Sequence, residues 1–253
     1  MVQAASRQYQ LEIAWDSLPA DFVLPDDPVE NIQQPLLAAA LSDALGEAGL
    51  IRPEMLVASN FGLVATVNKR LVVKAPDWLL VPQVTPVPEG VIRRSYTPHR
   101  EGGPVAVVME FLSETETGEY SVRPVFPYGK LYFYEHILRV PTYVIFDPLD
   151  GMIEVRRRLQ NGYELVQPND AGRYWLPALN LWLGCWYGKR LETTAFWLRW
   201  WDEAGNLLLW SSEKAEQERQ RAEQERQRAE QERQRADALA EKLKALGVDP
   251  DAL

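Results

Sequence analysis

Two short runs decide how this chain is read: Pro76-Asp77-Trp78-Leu79-Leu80-Val81, and Val105-Ala106-Val107-Val108-Met109-Glu110-Phe111-Leu112. Both have the length and the apolar, β-branched character of buried strands. Each carries one acid, Asp77 at the opening of the first and Glu110 inside the second. Taking an ionised carboxylate out of water is costly, so a carboxylate in such a run is paired, protonated or bound to a cation. Two carboxylates from neighbouring strands suffice to anchor a hard divalent ion, which keeps several of its waters. Further on, Lys130 supplies an ammonium to stand beside them. The three residues together point to phosphodiester hydrolysis, which needs an activated water, stabilised charge on the phosphoryl oxygens and help for the leaving oxygen.

Simpler roles stand beside these. Asp77 can satisfy loop amides at the start of its strand. Glu110 can pair with Arg93 or Arg94. Lys130 can lay its stem along a helix and keep its head in water, and Tyr134, four residues on, suits the core.

Outward from these runs, the apolar residues from about Pro28 to Gly46 (Ile32, Leu36, Leu37, Ala40, Leu41, Leu45) follow the helical period and predict a first helix. Three short strands follow, EMLVA, FGLVATV and RLVVK, the last two joined by a turn at Asn68-Lys69. Between Pro82 and Pro104 the prolines mark a loop or ragged edge over the site, with positive charge at Arg93, Arg94, His99 and Arg100. SETETGEY is a polar connection. Leu131, Tyr134, Ile137 and Leu138 give an amphipathic helix over Tyr128 to Val140, stopped by Pro141. TYVIFD is another apolar strand, and Asn161-Gly162 turns MIEVRRR into YELV. Seven of the nine tryptophans lie between Trp175 and Trp210, in late strands that cover the core.

At Ser211 the composition changes. AEQERQR occurs three times from Ala215 to Arg235, with Glu and Arg three apart, the spacing of an exposed helix. Leucine joins alanine on the seven-residue seam only at Leu239, Leu243 and Leu246, so a homo-oligomeric coiled coil has its support in the last two turns. The organisation read from this is a domain over 1–210 and a charged helical arm over 211–253.

A net charge of −9 gives no global basic field, so any DNA contact must be local. Tyr174 to Tyr187, the most apolar stretch, is too short for a membrane span and contains Pro177 and Asn180. The N-terminus lacks a signal-peptide pattern, and one cysteine excludes an intramolecular disulfide framework, so the expected location is cytoplasmic. Cys185 reads as a small buried hydrophobe, and His99 and His136 lack zinc spacing. There is no Walker loop and no dinucleotide glycine fingerprint.

The segments APDWLLVP, PVAVVMEFLSETET, GKLYFYEHILRVPTYVIFDP and NGYELV resemble the Uma-type family of restriction endonucleases, a branch of the PD-(D/E)XK nuclease superfamily. LNLWLGCWYG, FWLRWWDEAGNLL and the AEQERQR arm extend the resemblance from about Leu71 to the C-terminus. It implies an α/β (α+β) restriction-endonuclease-like core: a central mixed β-sheet flanked by helices, here with extra C-terminal strands and a long C-terminal helix. It implies an Mg²⁺- or Mn²⁺-dependent endonuclease acting on DNA, with Asp77, Glu110 and the carbonyl of Phe111 at the metal and Lys130 assisting the attacking water. The superfamily lysine lies two residues after the acid, where this chain has Leu112; Lys130 matches a lysine moved to the next helix. The family's Gly-rich hairpin ahead of the first helix is not found, and Glu30 is the one candidate for an acid from that helix. The alternative is a catalytically silent protein of the same fold that acts in protein or DNA interaction through its C-terminal arm.

Overall fold

The computed structural model describes residues 11–23, 32–113 and 118–245, with side chains through Lys242. The chain divides into two compact units, Met1–Leu208 and Leu209–Leu253.

In the first unit, a short strand β1 (Ile13–Ala14) leads to helix α1 (Gln33–Glu47). The helix starts later than its period predicts; Pro28 and Glu30 lie outside the described residues. Past its end Gly49 takes a left-handed φ of 68°, and the Leu50 amide reaches back to the Leu45 carbonyl. Strands β2 (Leu56–Ala58), β3 (Leu63–Val67), β4 (Arg70–Lys74), β5 (Trp78–Val81) and β6 (Val107–Phe111) follow. β3 and β4 form the hairpin expected at Asn68-Lys69, whose left-handed φ values of 49° and 63° suit a tight two-residue turn.

Helix α2 (Lys130–Tyr132) continues as a π-helical turn over Phe133–Ile137. There the Leu138 amide reaches the Phe133 carbonyl, five residues back. The sequence led us to expect a longer, plain α-helix from Tyr128 to Val140. Strands β7 (Thr142–Phe146), β8 (Ile153–Leu159), β9 (Gly162–Leu165), β10 (Tyr174–Leu176), β11 (Leu181–Arg190) and β12 (Thr193–Trp201) complete the unit.

Six strands make the central mixed sheet, in the order β2-β5-β6-β7-β8-β9. Only β6 and β7 run parallel, and the segment carrying α2 connects them. β5, β6 and β7 are buried throughout, because both faces of the sheet are covered. On one face Leu79, Val81, Val108, Tyr143 and Ile145 share a core with β3 and with Leu131, Phe133, Tyr134 and Ile137 of the α2 segment. Each large apolar side chain buried there contributes about 1.5–3 kcal/mol.

The other face meets α1 and the β10-β11-β12 sheet. The Trp78 indole donates to the Ser42 hydroxyl (3.0 Å), the Trp200 indole donates to the Leu41 carbonyl (3.1 Å), and the two rings lie 6.0 Å apart. This is the mixed, helix-flanked architecture that the resemblance implied. Among the described residues no helix is long and apolar enough to cross a membrane.

The second unit is dominated by helix α3 (Ser211–Ala245). The Glu213 carboxylate accepts the Trp210 amide at 2.9 Å, which closes the first turn. Along the exposed repeats Glu216 pairs with Arg219, and Glu223 with Arg226. At this exposure solvent screens such pairs, and they support the helix only weakly.

Candidate active site

Strand register brings the two acids together. β5 and β6 are antiparallel, with Trp78 opposite Met109 and Leu79 opposite Val108. Extending that ladder by one residue sets Asp77 opposite Glu110, and directly opposed side chains share a face of the sheet. That face is the one covered by α2. The Asp77 Oδ2 accepts the Phe111 amide at 2.6 Å, so the simpler role for Asp77, satisfying a backbone amide, is also real.

Glu110 is 1% exposed. Its Oε1 accepts the Tyr134 hydroxyl at 2.8 Å, and its Oε2 accepts the Lys130 ammonium at 3.3 Å. Among the described contacts neither Arg93 nor Arg94 bonds Glu110: Arg93 pairs with Glu101 (2.6 Å), and Arg94 donates to the Ala20 and Phe22 carbonyls. The loop expected to bring positive charge over the site thus spends one arginine on its own packing and one on the N-terminal segment.

A further carboxylate completes the constellation. Lys130 Nζ donates to Glu119 Oε1 at 3.0 Å, and Glu119 is 3% exposed, its Oε2 lacking a hydrogen-bond partner among the described residues. Glu119 lies in a 3₁₀ turn (Gly118–Tyr120) held by the Tyr143 hydroxyl, which donates to the Glu119 carbonyl at 2.9 Å. The turn meets the start of α2 at Gly129, where a Cβ would collide with the Ser121 carbonyl and hydroxyl. The Tyr132 amide also reaches the Ser121 carbonyl. These contacts carry Lys130 from α2 to the strand-borne acids, although Leu112 stands at the usual lysine position.

Glu119 escaped the sequence reading because SETETGEY reads as a solvated connection. Gln34 was missed too. Buried on α1, it donates from Nε2 to the Phe111 carbonyl at 3.0 Å, a hydrogen-bonding role and not that of the acid for which Glu30 is the candidate. Glu30 itself lies outside the described residues.

The electrostatics are uneven. Burial pushes the Glu110 carboxyl up from about 4.5 to about 8, assisted by the Asp77 and Glu119 charges and opposed by Lys130 and the Tyr134 hydrogen bond. For Lys130 burial works against the charge, but Glu110 and Glu119 outweigh it, and the ammonium is held above its ordinary range. Burial likewise holds the Tyr134 phenol well above its usual range, so it remains a donor.

The consequence for stability has a definite sign. Between pH 4.5 and about 8 the native protein keeps a proton on Glu110 that the unfolded chain has lost. The group's contribution is therefore complete below about 4.5 and lost as pH rises through about 8. Glu110→Gln is expected to remove that falling component from a metal-free urea-unfolding series across this range, and an unchanged slope would refute it.

Among the described residues no group of three His, Cys, Asp or Glu could hold a metal ion. A hard cation does not require one: it is commonly held by one or two carboxylates and waters. Asp77, Glu110 and the Phe111 carbonyl form an all-oxygen set of that kind, and Glu110 holds a proton that a cation would displace. The residues fit such an ion.

The family model Uma2, described as "Putative restriction endonuclease", matches residues 24–186. The chain belongs to the Uma2 family. Membership supports a nuclease role in general. No curated protein matches the chain. The Uma2 match begins well before Leu71, from which the quoted resemblance runs, and it includes α1. It ends inside β11, so β12 and the arm lie beyond the part that defines Uma2 membership.

Proposed function

We propose that this Uma2 protein is an Mg²⁺-dependent endonuclease, with Mn²⁺ as a substitute, that hydrolyses phosphodiester bonds in DNA. The observation that carries the reading is the Lys130 ammonium, 3.3 Å from the Glu110 carboxylate that the β5-β6 register sets opposite Asp77. Asp77, Glu110 and the Phe111 carbonyl would hold the ion. When bound, the ion supplies neutralisation of charge on the phosphoryl oxygens and lowers the pKa of a water.

The remaining work falls to the chain. Tyr134 holds one oxygen of Glu110 by hydrogen bonding and so fixes the carboxylate's orientation. Gln34 fixes the Phe111 carbonyl in the same manner. Glu110 and Glu119 hold the Lys130 ammonium, with 24% of its side chain exposed, and in the reaction it would stand beside the attacking water or a phosphoryl oxygen. A pre-placed donor of this kind stabilises charge where it develops without reorganising.

The test is cleavage of supercoiled plasmid and linear duplex by the purified chain, with Mg²⁺ or Mn²⁺ against EDTA, alongside Mg²⁺ calorimetry with a short duplex present. Nicked or linear product only with metal, together with saturable binding, supports the reading. Absence of both would leave it without foundation.

A further inference from the structure

A run of rings and cations leaves the site along the outer side of α2. Phe126, Tyr128, Tyr132 and His136 follow one another with ring centroids 6.4, 5.9 and 4.7 Å apart. Tyr128 is buried, but Phe126 is 44% exposed and the His136 side chain 46% exposed, so the run is open at both ends. Exposed cations flank it: Lys69 and Arg70 from the β3-β4 turn, Arg123 before the rings and Arg139 after them.

Two distant loops are joined here. The Arg70 guanidinium lies 5.2 Å from the Phe126 ring centroid, Arg123 donates to the Phe126 carbonyl (3.4 Å), and Asn68 donates to the Tyr128 hydroxyl (3.4 Å). Among the described residues no carboxylate pairs with Lys69, Arg70, Arg123 or Arg139. Two acids border the strip. The main chain of Glu12 bonds Asn68, and the Glu135 carboxylate is taken up by the Tyr163 amide and by His136. Lys69 and Arg139 hold left-handed φ values of 63° and 56°, so at both places a cation stands where glycine or asparagine is more at ease.

Four cations without carboxylate partners among the described residues, on a chain of net charge −9, form a local field for an anion. Their interleaving with the exposed Phe126 ring and the half-buried Tyr132 ring fits a polyanion that also presents flat faces. Duplex bases are stacked already; unpaired bases are free to stack on a side chain. Lys130, the first residue of α2, places the strip next to the site.

We propose that this strip binds a DNA strand in its unpaired form, with Arg70, Arg123, Lys69 and Arg139 on its phosphates and Phe126 and Tyr132 under its bases. That it delivers the strand to Lys130 rests on the nuclease reading. The binding itself does not.

The test uses the full chain in EDTA, with anisotropy of a fluorescein-labelled single-stranded oligonucleotide and of the matching duplex, over a salt series. Arg70→Glu with Arg123→Glu is expected to weaken single-strand binding about tenfold or more, and to reduce the salt slope by about 1.4, two phosphates' worth. Phe126→Ala is expected to weaken it about fivefold or more with the slope unchanged, as loss of one stacking platform requires. Arg52→Glu with Lys189→Glu makes the same charge change at two exposed sites elsewhere and is expected to have little effect. Binding by the two strip variants equal to the parent's, or no single-strand binding by the parent, would overturn the proposal. If the strip variants weaken binding while the parent cleaves nothing with any metal, the strip stands and the nuclease reading falls.

Discussion

Asp77→Asn is expected to lower metal-dependent DNA cleavage by about 10³-fold or more, while the protein stays folded. The chemical loss is large because a carboxylate that neutralises a bound cation is replaced by a neutral amide, and charge stabilisation is the main resource of such a site. The structural loss is small. An asparagine oxygen can still accept the Phe111 amide that Asp77 Oδ2 accepts, so the change in stability is expected within about 1 kcal/mol. Cleavage rates and urea midpoints, measured on the same preparations, separate the two. A variant that cleaves like the parent would remove Asp77 from the site, and one that fails to fold would show that its bond to Phe111 is its main role.

Lys130→Met has the other large effect, and here structure and chemistry move together. The ammonium is hydrogen-bonded to two buried carboxyl groups, Glu110 and Glu119. Glu110 is already pushed up to about 8 and can stay protonated without its partner. Glu119 takes the greater part of the loss, with its Oε2 already lacking a donor. Removing one member of a buried pair costs about 3–5 kcal/mol, because the remaining charge has no compensation. The expected result is a fall of roughly that size in unfolding free energy at pH 7, with cleavage lost. Adding Glu119→Gln should restore much of the stability and none of the cleavage. Restored cleavage in the double variant would show that Lys130 serves structure alone, and unaltered stability in the single variant would show that the ammonium is better solvated than its contacts imply.

The grouping of Asp77, Glu110 and Lys130 was legible in the sequence from two local contrasts. An acid in an otherwise apolar strand is conspicuous, and a lysine four residues before a tyrosine on a predicted helix can be placed on one face. Glu119 had no such contrast, because an acid among serines, threonines and other acids resembles every solvated loop. Its burial comes from tertiary packing of Gly129 on Ser121 and of Tyr143 on the turn, which no local pattern announces. Gln34 was hidden for a related reason: an amide near the start of an amphipathic helix carries no charge to explain.

The strands and hairpins were mostly recoverable, since β5, β6 and β7 are continuous apolar runs and the turn at Asn68-Lys69 uses residues suited to it; the β8-β9 hairpin turns one residue earlier than Asn161-Gly162, at Gln160-Asn161, with Gly162 already paired to Leu159. The two-sided burial of the sheet was legible for the same reason. The charge of the proline-rich loop misled, because the destination of an arginine depends on carbonyls and carboxylates distant in sequence: Ala20 and Phe22 for Arg94, Glu101 for Arg93. The winding of the α2 segment was beyond reach, since α and π turns place nearly the same residues inward over so short a span.

The π turn at Phe133–Ile137 bears on how relatives are compared with this chain. Such a turn is in effect one residue added to an α-helix. A relative whose helix lacks the addition has one residue fewer between the lysine and the strand that follows. Setting the two side by side then requires a gap inside the helix, after the lysine. If the gap is put ahead of the helix instead, the relative's lysine falls beside Leu131 and Lys130 is left opposite a residue of another kind, so two proteins with the same site would be scored as if one had lost it.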